Sequence, residues 1–124
     1  MDILGSRNIK ENDAVMFDID DTLIRSADGT LIVPVVSLLL NARSMGYKIV
    51  IITARPYSEY VAQHTVNQLH SNGIPYDALG FAPPHRKGEM KKGLKYNFVL
   101  SVGDMPTDWT DSKYYINTSN SFHN

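Results

Sequence analysis

Three carboxylates and a hydroxyl stand together in Asp18-Ile19-Asp20-Asp21-Thr22, directly after the apolar run Val15-Met16-Phe17. Such a run reads as a buried strand, and polar residues crowded at the carboxyl end of a strand mark an α/β ligand site. Strand alternation would carry Asp18 and Asp20 to the same side. Two carboxylates held close repel, so the pair demands a cation or a shared proton. A structural role gains little from that arrangement. A site that binds Mg²⁺ and moves phosphate gains a great deal.

Residues with the same chemistry recur after later apolar runs. The stretch Lys48-Ile49-Val50-Ile51-Ile52 is continuous enough for a strand buried on both faces, and it ends in Thr53, two residues before Arg55. Residues 98–102 read as a further strand, followed by Gly103-Asp104-Met105-Pro106-Thr107-Asp108. Between them, a basic segment over residues 85–95 holds Lys87 near the start of a predicted helix.

These residues need a scaffold that brings strand ends together. The pattern predicts strands over residues 14–18, 48–53, 78–81, 98–102 and 114–117. Helices are expected from Pro34 to Gly46, from a Ser58 cap to about His70, and over 86–94, with a turn or short helix at 106–110. The Asp28-Gly29 pair between apolar residues predicts a tight hairpin over residues 23–33. Strands alternating with helices predict a three-layer, Rossmann-like α/β sandwich around a parallel sheet of about five strands. The expected strand order is 5-4-1-2-3. In such a sheet the loops over 18–22, 53–55, 83–87 and 103–108 leave the same edge and become neighbours.

The order of these pieces resembles the haloacid dehalogenase-like (HAD) phosphohydrolases, whose motifs are DxDx[TV], a strand ending in Thr or Ser, a Lys, and GDxxxD. The resemblance runs from about Val15 to Ile116 and is closest to the capless phosphatases associated with phages and polynucleotide kinases. It implies that Asp18 is the nucleophile that forms an aspartyl-phosphate. It implies a Mg²⁺ ion held by Asp18, the backbone carbonyl of Asp20 and Asp104. The Asp20 side chain would move the proton, Thr53 would hydrogen-bond a phosphoryl oxygen, and Lys87 would balance charge. Asp108 would order water around the metal, and Thr22 would brace the first loop. Asp21 is the bystander of the three acids, since many relatives carry Gly there.

Several assignments stay open. Lys91 lies one turn beyond Lys87 and is the reserve for the lysine role. The other basic residues of 85–95 form either a solvated helix face or a patch for an anionic polymer. Arg55 would clamp a second anionic group of a substrate or pair with a nearby acid such as Glu59. Tyr57 and Trp109 would line the mouth or pack at its rim. His64, His70 and His85 show no ligand spacing.

HAD enzymes commonly carry a cap after the first or second motif. Here there is room only for a hairpin and a helix before Lys48, and for a helix and a short strand before Lys87. The resemblance therefore implies a capless, open site suited to a large substrate such as a phosphorylated nucleic-acid end. Alternatives are a small-molecule or nucleotide phosphatase whose lid comes from an oligomer neighbour, or a non-catalytic, receiver-like phosphoacceptor. A receiver needs its acceptor Asp after a later strand, and no Asp follows Thr53 directly.

Bulk properties agree with one domain over residues 1–124, with residues 1–13 as a polar lead-in. The chain is 43% hydrophobic and 20% charged, with a formal net charge of −1, so any nucleic-acid preference must come from a local patch. The absence of cysteine excludes disulfides and thiolate chemistry. No signal-peptide or membrane-spanning pattern is seen, and an intracellular location is expected. The sequon Asn117-Thr118-Ser119 is therefore read as chance.

Overall fold

The computed structural model describes residues 4–5 and 8–119, so the expected lead-in over residues 1–13 lies partly outside the described residues. Five strands, β1 (Asp13–Phe17), β2 (Lys48–Thr53), β3 (Ala78–Phe81), β4 (Asn97–Gly103) and β5 (Tyr114–Asn117), form one sheet in the order β3-β2-β1-β4-β5. Every pairing is parallel, as expected from the strand–helix alternation. The helices are α1 (Val33–Met45), α2 (Glu59–Ser71), α3 (Lys87–Gly93) and the short α4 (Pro106–Trp109). A 3₁₀ turn over Pro84–Arg86 leads into α3.

Local chemistry sets the helix ends. Ser58 caps α2 by accepting the Val61 amide at 3.0 Å. Gly46 ends α1 at φ +110°, a left-handed conformation that costs glycine little. Val35, Leu39 and Ala42 of α1, with Leu69 of α2, bury against Val15, Phe17, Ile49 and Ile51. The opposite face, Ala14, Met16, Val50 and Ile52, packs against Met90 and Leu94 of α3 and its flank. The result is three layers.

The chain steps outward from β1 through β2 to β3, then returns to place β4 on the other side of β1. The reversal lies between β1 and β4, and a crevice at the carboxyl ends follows from it. A register shift in β4 opposite Ala14 and Val15 turns both Val99 and Leu100 towards the α1–α2 side. It leaves Ser101 facing α3.

The expected hairpin over 23–33 is smaller than the sequence suggests. It contains one antiparallel bridge, Ile24 to Leu31, and a turn in which Asp28 accepts the Thr30 amide at 2.9 Å. The Asp28 side chain satisfies the backbone that a longer ladder would have used. Among the described residues, no helix is long and apolar enough to cross a membrane.

Candidate active site

Asp18 follows β1 directly, and its amide donates to the Val102 carbonyl at 3.0 Å, carrying the β1–β4 pairing one residue further. Its carboxylate is thereby delivered into the crevice. Lys87, the first residue of α3, is buried and places Nζ 3.0 Å from Asp18 Oδ1 and 2.5 Å from Asp108 Oδ1. Asp18, Asp104 and Asp108 each offer a carboxylate oxygen, and these atoms lie within 4.8 Å of one another. Hard oxygen donors converging in this way could hold a metal ion.

The electrostatics are strained in a way that a cation would relieve. Burial pushes the Asp18 carboxyl up to about 7, with Lys87 pulling it down and Asp108 pushing it further up. Burial opposes the Lys87 ammonium, but Asp18 and Asp108 outweigh it and raise Lys87 above its ordinary value.

Asp108 does two things at once. One oxygen takes Lys87, and the other accepts the Met105 amide at 3.2 Å, capping α4. Its side chain lies directly over Gly103, where an added Cβ would overlap the Asp108 side chain. Glycine at 103 is thus required by close approach.

Asp20 lies beside this cluster but engages a different cation. Arg55 grips it with two bonds, Nε to Oδ2 at 3.0 Å and Nη2 to Oδ1 at 2.9 Å. Its third nitrogen, Nη1, donates to Thr65 Oγ1 at 3.0 Å. The carboxylate partner of Arg55 is therefore Asp20, across 35 residues, rather than Glu59. Sequence reasoning missed Thr65, which is buried on α2 and carries no motif. Thr53 ends β2 with its hydroxyl buried and accepting the Arg55 amide at 3.2 Å.

The remaining residues of the first loop are structural. Asp21 sits at φ +58°, where glycine would be free of strain, and its carboxylate accepts both the amide and the hydroxyl of Ser26. Thr22 is fully buried, 3.4 Å from Thr118 Oγ1, which ties the loop to the end of β5. The threonine of the sequon is thus an interior contact.

Lys91, the reserve for the lysine role, is buried as well. Its Nζ donates to the Asp108 and Thr110 carbonyls at 2.5 and 2.6 Å and to Ser101 Oγ at 3.0 Å. Burial lowers its ammonium to about 8. Arg86, Lys92 and Lys95 of the same segment are exposed. Trp109 is half-buried, stacked on the exposed Tyr115 with centroids 4.6 Å apart and its Nε1 donating to Gly103 O. Tyr57 remains 69% exposed beside Arg55.

No family model and no curated protein matches the chain. Among solved structures, the fold is similar to a chain of the Pnkp1/Rnl/Hen1 complex, with a TM-score of 0.62 and 23% identity, over 81% of this chain and 42% of that one. It is equally similar to a chain of the Pnkp1/Rnl/Hen1 RNA repair complex, with a TM-score of 0.62 and 23% identity, over 82% and 39% of the two chains. The chain thus spans less than half the length of these neighbours. The likeness establishes a shared α/β fold.

Proposed function

We propose that this protein is a Mg²⁺-dependent phosphomonoesterase of the HAD type, with residues 1–124 acting as one capless phosphatase domain. The observation that carries the proposal is the meeting of Asp18, Asp104, Asp108 and Lys87 at the carboxyl ends of β1 and β4. Asp18 and Asp104, with the backbone carbonyl of Asp20, would hold the ion. When bound it would offset the repulsion between a carboxylate nucleophile and a phosphate dianion.

An Asp18 oxygen attacks phosphorus, and the bond to the leaving oxygen breaks. Asp20 gives that oxygen a proton, then takes one from the water that hydrolyses the aspartyl-phosphate and regenerates Asp18. Thr53 and Lys87 hold the phosphoryl oxygens. Arg55 occupies both oxygens of Asp20, so the pair must open before Asp20 can reach the leaving oxygen. A substrate anion competing for the guanidinium would open it, which gives Arg55 both the acid-pairing and the substrate-binding role. The small flap over residues 23–33 leaves room for a large substrate, and a phosphorylated nucleic-acid end fits both that opening and the RNA-repair setting of the similar structures.

The test is phosphate release from p-nitrophenyl phosphate with Mg²⁺ added or chelated. Mg²⁺-dependent turnover is expected, with loss in a folded Asp18→Asn variant. Equal activity of that variant and the wild type would refute the mechanism.

A further inference from the structure

A cleft of about 420 Å³ opens beside the proposed reaction centre, between the loops that follow β2 and β3. Arg55, Pro56, Tyr57, Phe81, Pro83 and Pro84 line it. The register pairs Thr53 with Phe81, and the Ala82 amide donates to the Thr53 carbonyl at 3.0 Å, so the cleft is built onto the strand end that carries Thr53. Arg55 is common to the cleft and to the carboxylate of Asp20. On the phosphomonoesterase reading, Asp20 faces the leaving oxygen, so the cleft lies on the side where the leaving group must sit.

The walls suit a flat, apolar ring. Tyr57 and Phe81 meet edge to face, with centroids 5.5 Å apart at 71°, and the remaining surface of Tyr57 is open to solvent. The three prolines stiffen the walls of the cleft. Arg55 supplies a cation that pairs with phosphate or stacks on a base. Volumes of this size accept a nucleoside-sized group. Exposed aromatic rings beside a guanidinium are the usual platform for an unpaired base.

We propose that this cleft seats the base of the terminal nucleotide that carries the scissile phosphate, with Tyr57 as its stacking platform. The assignment rests on the phosphomonoesterase reading and adds to it the substrate class. It also gives a use to an exposed tyrosine that packing does not require.

The test uses trinucleotides phosphorylated at the 3′ or the 5′ end, with the terminal nucleotide either intact or replaced by a tetrahydrofuran abasic analogue. For the preferred end, wild type is expected to show KM about tenfold lower for the intact terminus, from the usual strength of base–aromatic stacking. Tyr57→Ala should bring that ratio close to one, and Tyr57→Trp should keep it. Circular dichroism confirms that each variant is folded. Equilibrium binding of fluorescent versions of the same trinucleotides reads the ratio without turnover. A ratio near one in wild type, by either measurement, or one that survives Tyr57→Ala, would overturn the cleft assignment while phosphate release stands. Absence of Mg²⁺-dependent release from every substrate, with the binding ratio intact, would instead overturn the phosphatase reading.

Discussion

Replacing Lys87 with methionine tests whether the site is organised by charge. In the wild type one buried ammonium serves two buried carboxylates, at 3.0 Å and 2.5 Å. Breaking a buried pair by removing one partner costs about 3–5 kcal/mol, because the remaining charges stay buried. The full cost appears only where those carboxylates are ionised. Asp18 is pushed up to about 7, so well below that pH it already holds a proton and Lys87 serves Asp108 alone. The expected loss in urea denaturation is therefore about 3 kcal/mol or more near ~pH 8.5, and roughly half of that near ~pH 5.5. Saturating Mg²⁺ supplies the missing positive charge and should bind the variant more tightly. A tenfold gain in affinity returns about 1.4 kcal/mol. The wild type shows the same sign of pH dependence. Between ~pH 4 and ~pH 7 its native Asp18 keeps a proton that the unfolded chain has released, so stability falls as pH rises through that window. Mg²⁺ should flatten this slope. A loss that is equal at both pH values and indifferent to Mg²⁺ would refute the electrostatic account and leave Lys87 as a packing residue.

Arg55→Ala should lower kcat/KM by about tenfold or more for a phosphorylated dinucleotide, whose second phosphate can reach the guanidinium, and less for glycerol phosphate. Equal losses on the two substrates would remove the substrate-binding role. Lys91 is lowered to about 8 by burial, so the native protein releases its proton between about 8 and the ordinary lysine value while the unfolded chain keeps it. Wild-type stability should therefore gain a rising component with pH over that window, and Lys91→Met should remove it while costing about 1–3 kcal/mol from the orphaned Asp108 and Thr110 carbonyls. Denaturant melts near ~pH 7.5 and ~pH 9.5 measure both effects. Gly103→Ala should cost about 1–3 kcal/mol by forcing the Asp108 side chain aside, with a melting temperature lowered by several degrees and phosphate release reduced in parallel.

The central strands β1 and β2 were legible because each is a mostly apolar run buried on both faces, which has few alternatives to a central parallel strand. The strand order followed from short, right-handed crossovers. The meeting of Asp18, Lys87 and Asp104 was legible from the loop positions, but individual pairings across the chain were not. Glu59 is four residues from Arg55 and was the natural partner on paper, yet the sheet brings Asp20 closer. Position at the start of α3 favoured Lys87 and left Lys91, one turn on, in reserve, and Lys87 is the one that meets Asp18. The register shift in β4 separates them, since it turns Ser101 towards α3 and gives the second lysine a hydroxyl where the first has carboxylates. A one-residue irregularity of that kind leaves no mark in composition or spacing.

The ionic groups divide into two sets with different balances. Asp20 is matched by Arg55, one charge against one. Asp18 and Asp108 share the single ammonium of Lys87, two carboxylates against one cation, and Asp104 lies close to both. The fold relieves this partly by raising Asp18, which on the proposed mechanism lowers its power as a nucleophile. A divalent cation would offset the crowded carboxylates and, on the same proposal, restore the nucleophile. A receiver-like phosphoacceptor would need the same cation, but it would have no use for a second carboxylate kept out of the cluster on an arginine. On the proposed mechanism Asp20, tethered to an arginine that also lines the neighbouring cleft, would be the proton carrier, and that role favours the hydrolysis proposal over storage of the phosphoryl group.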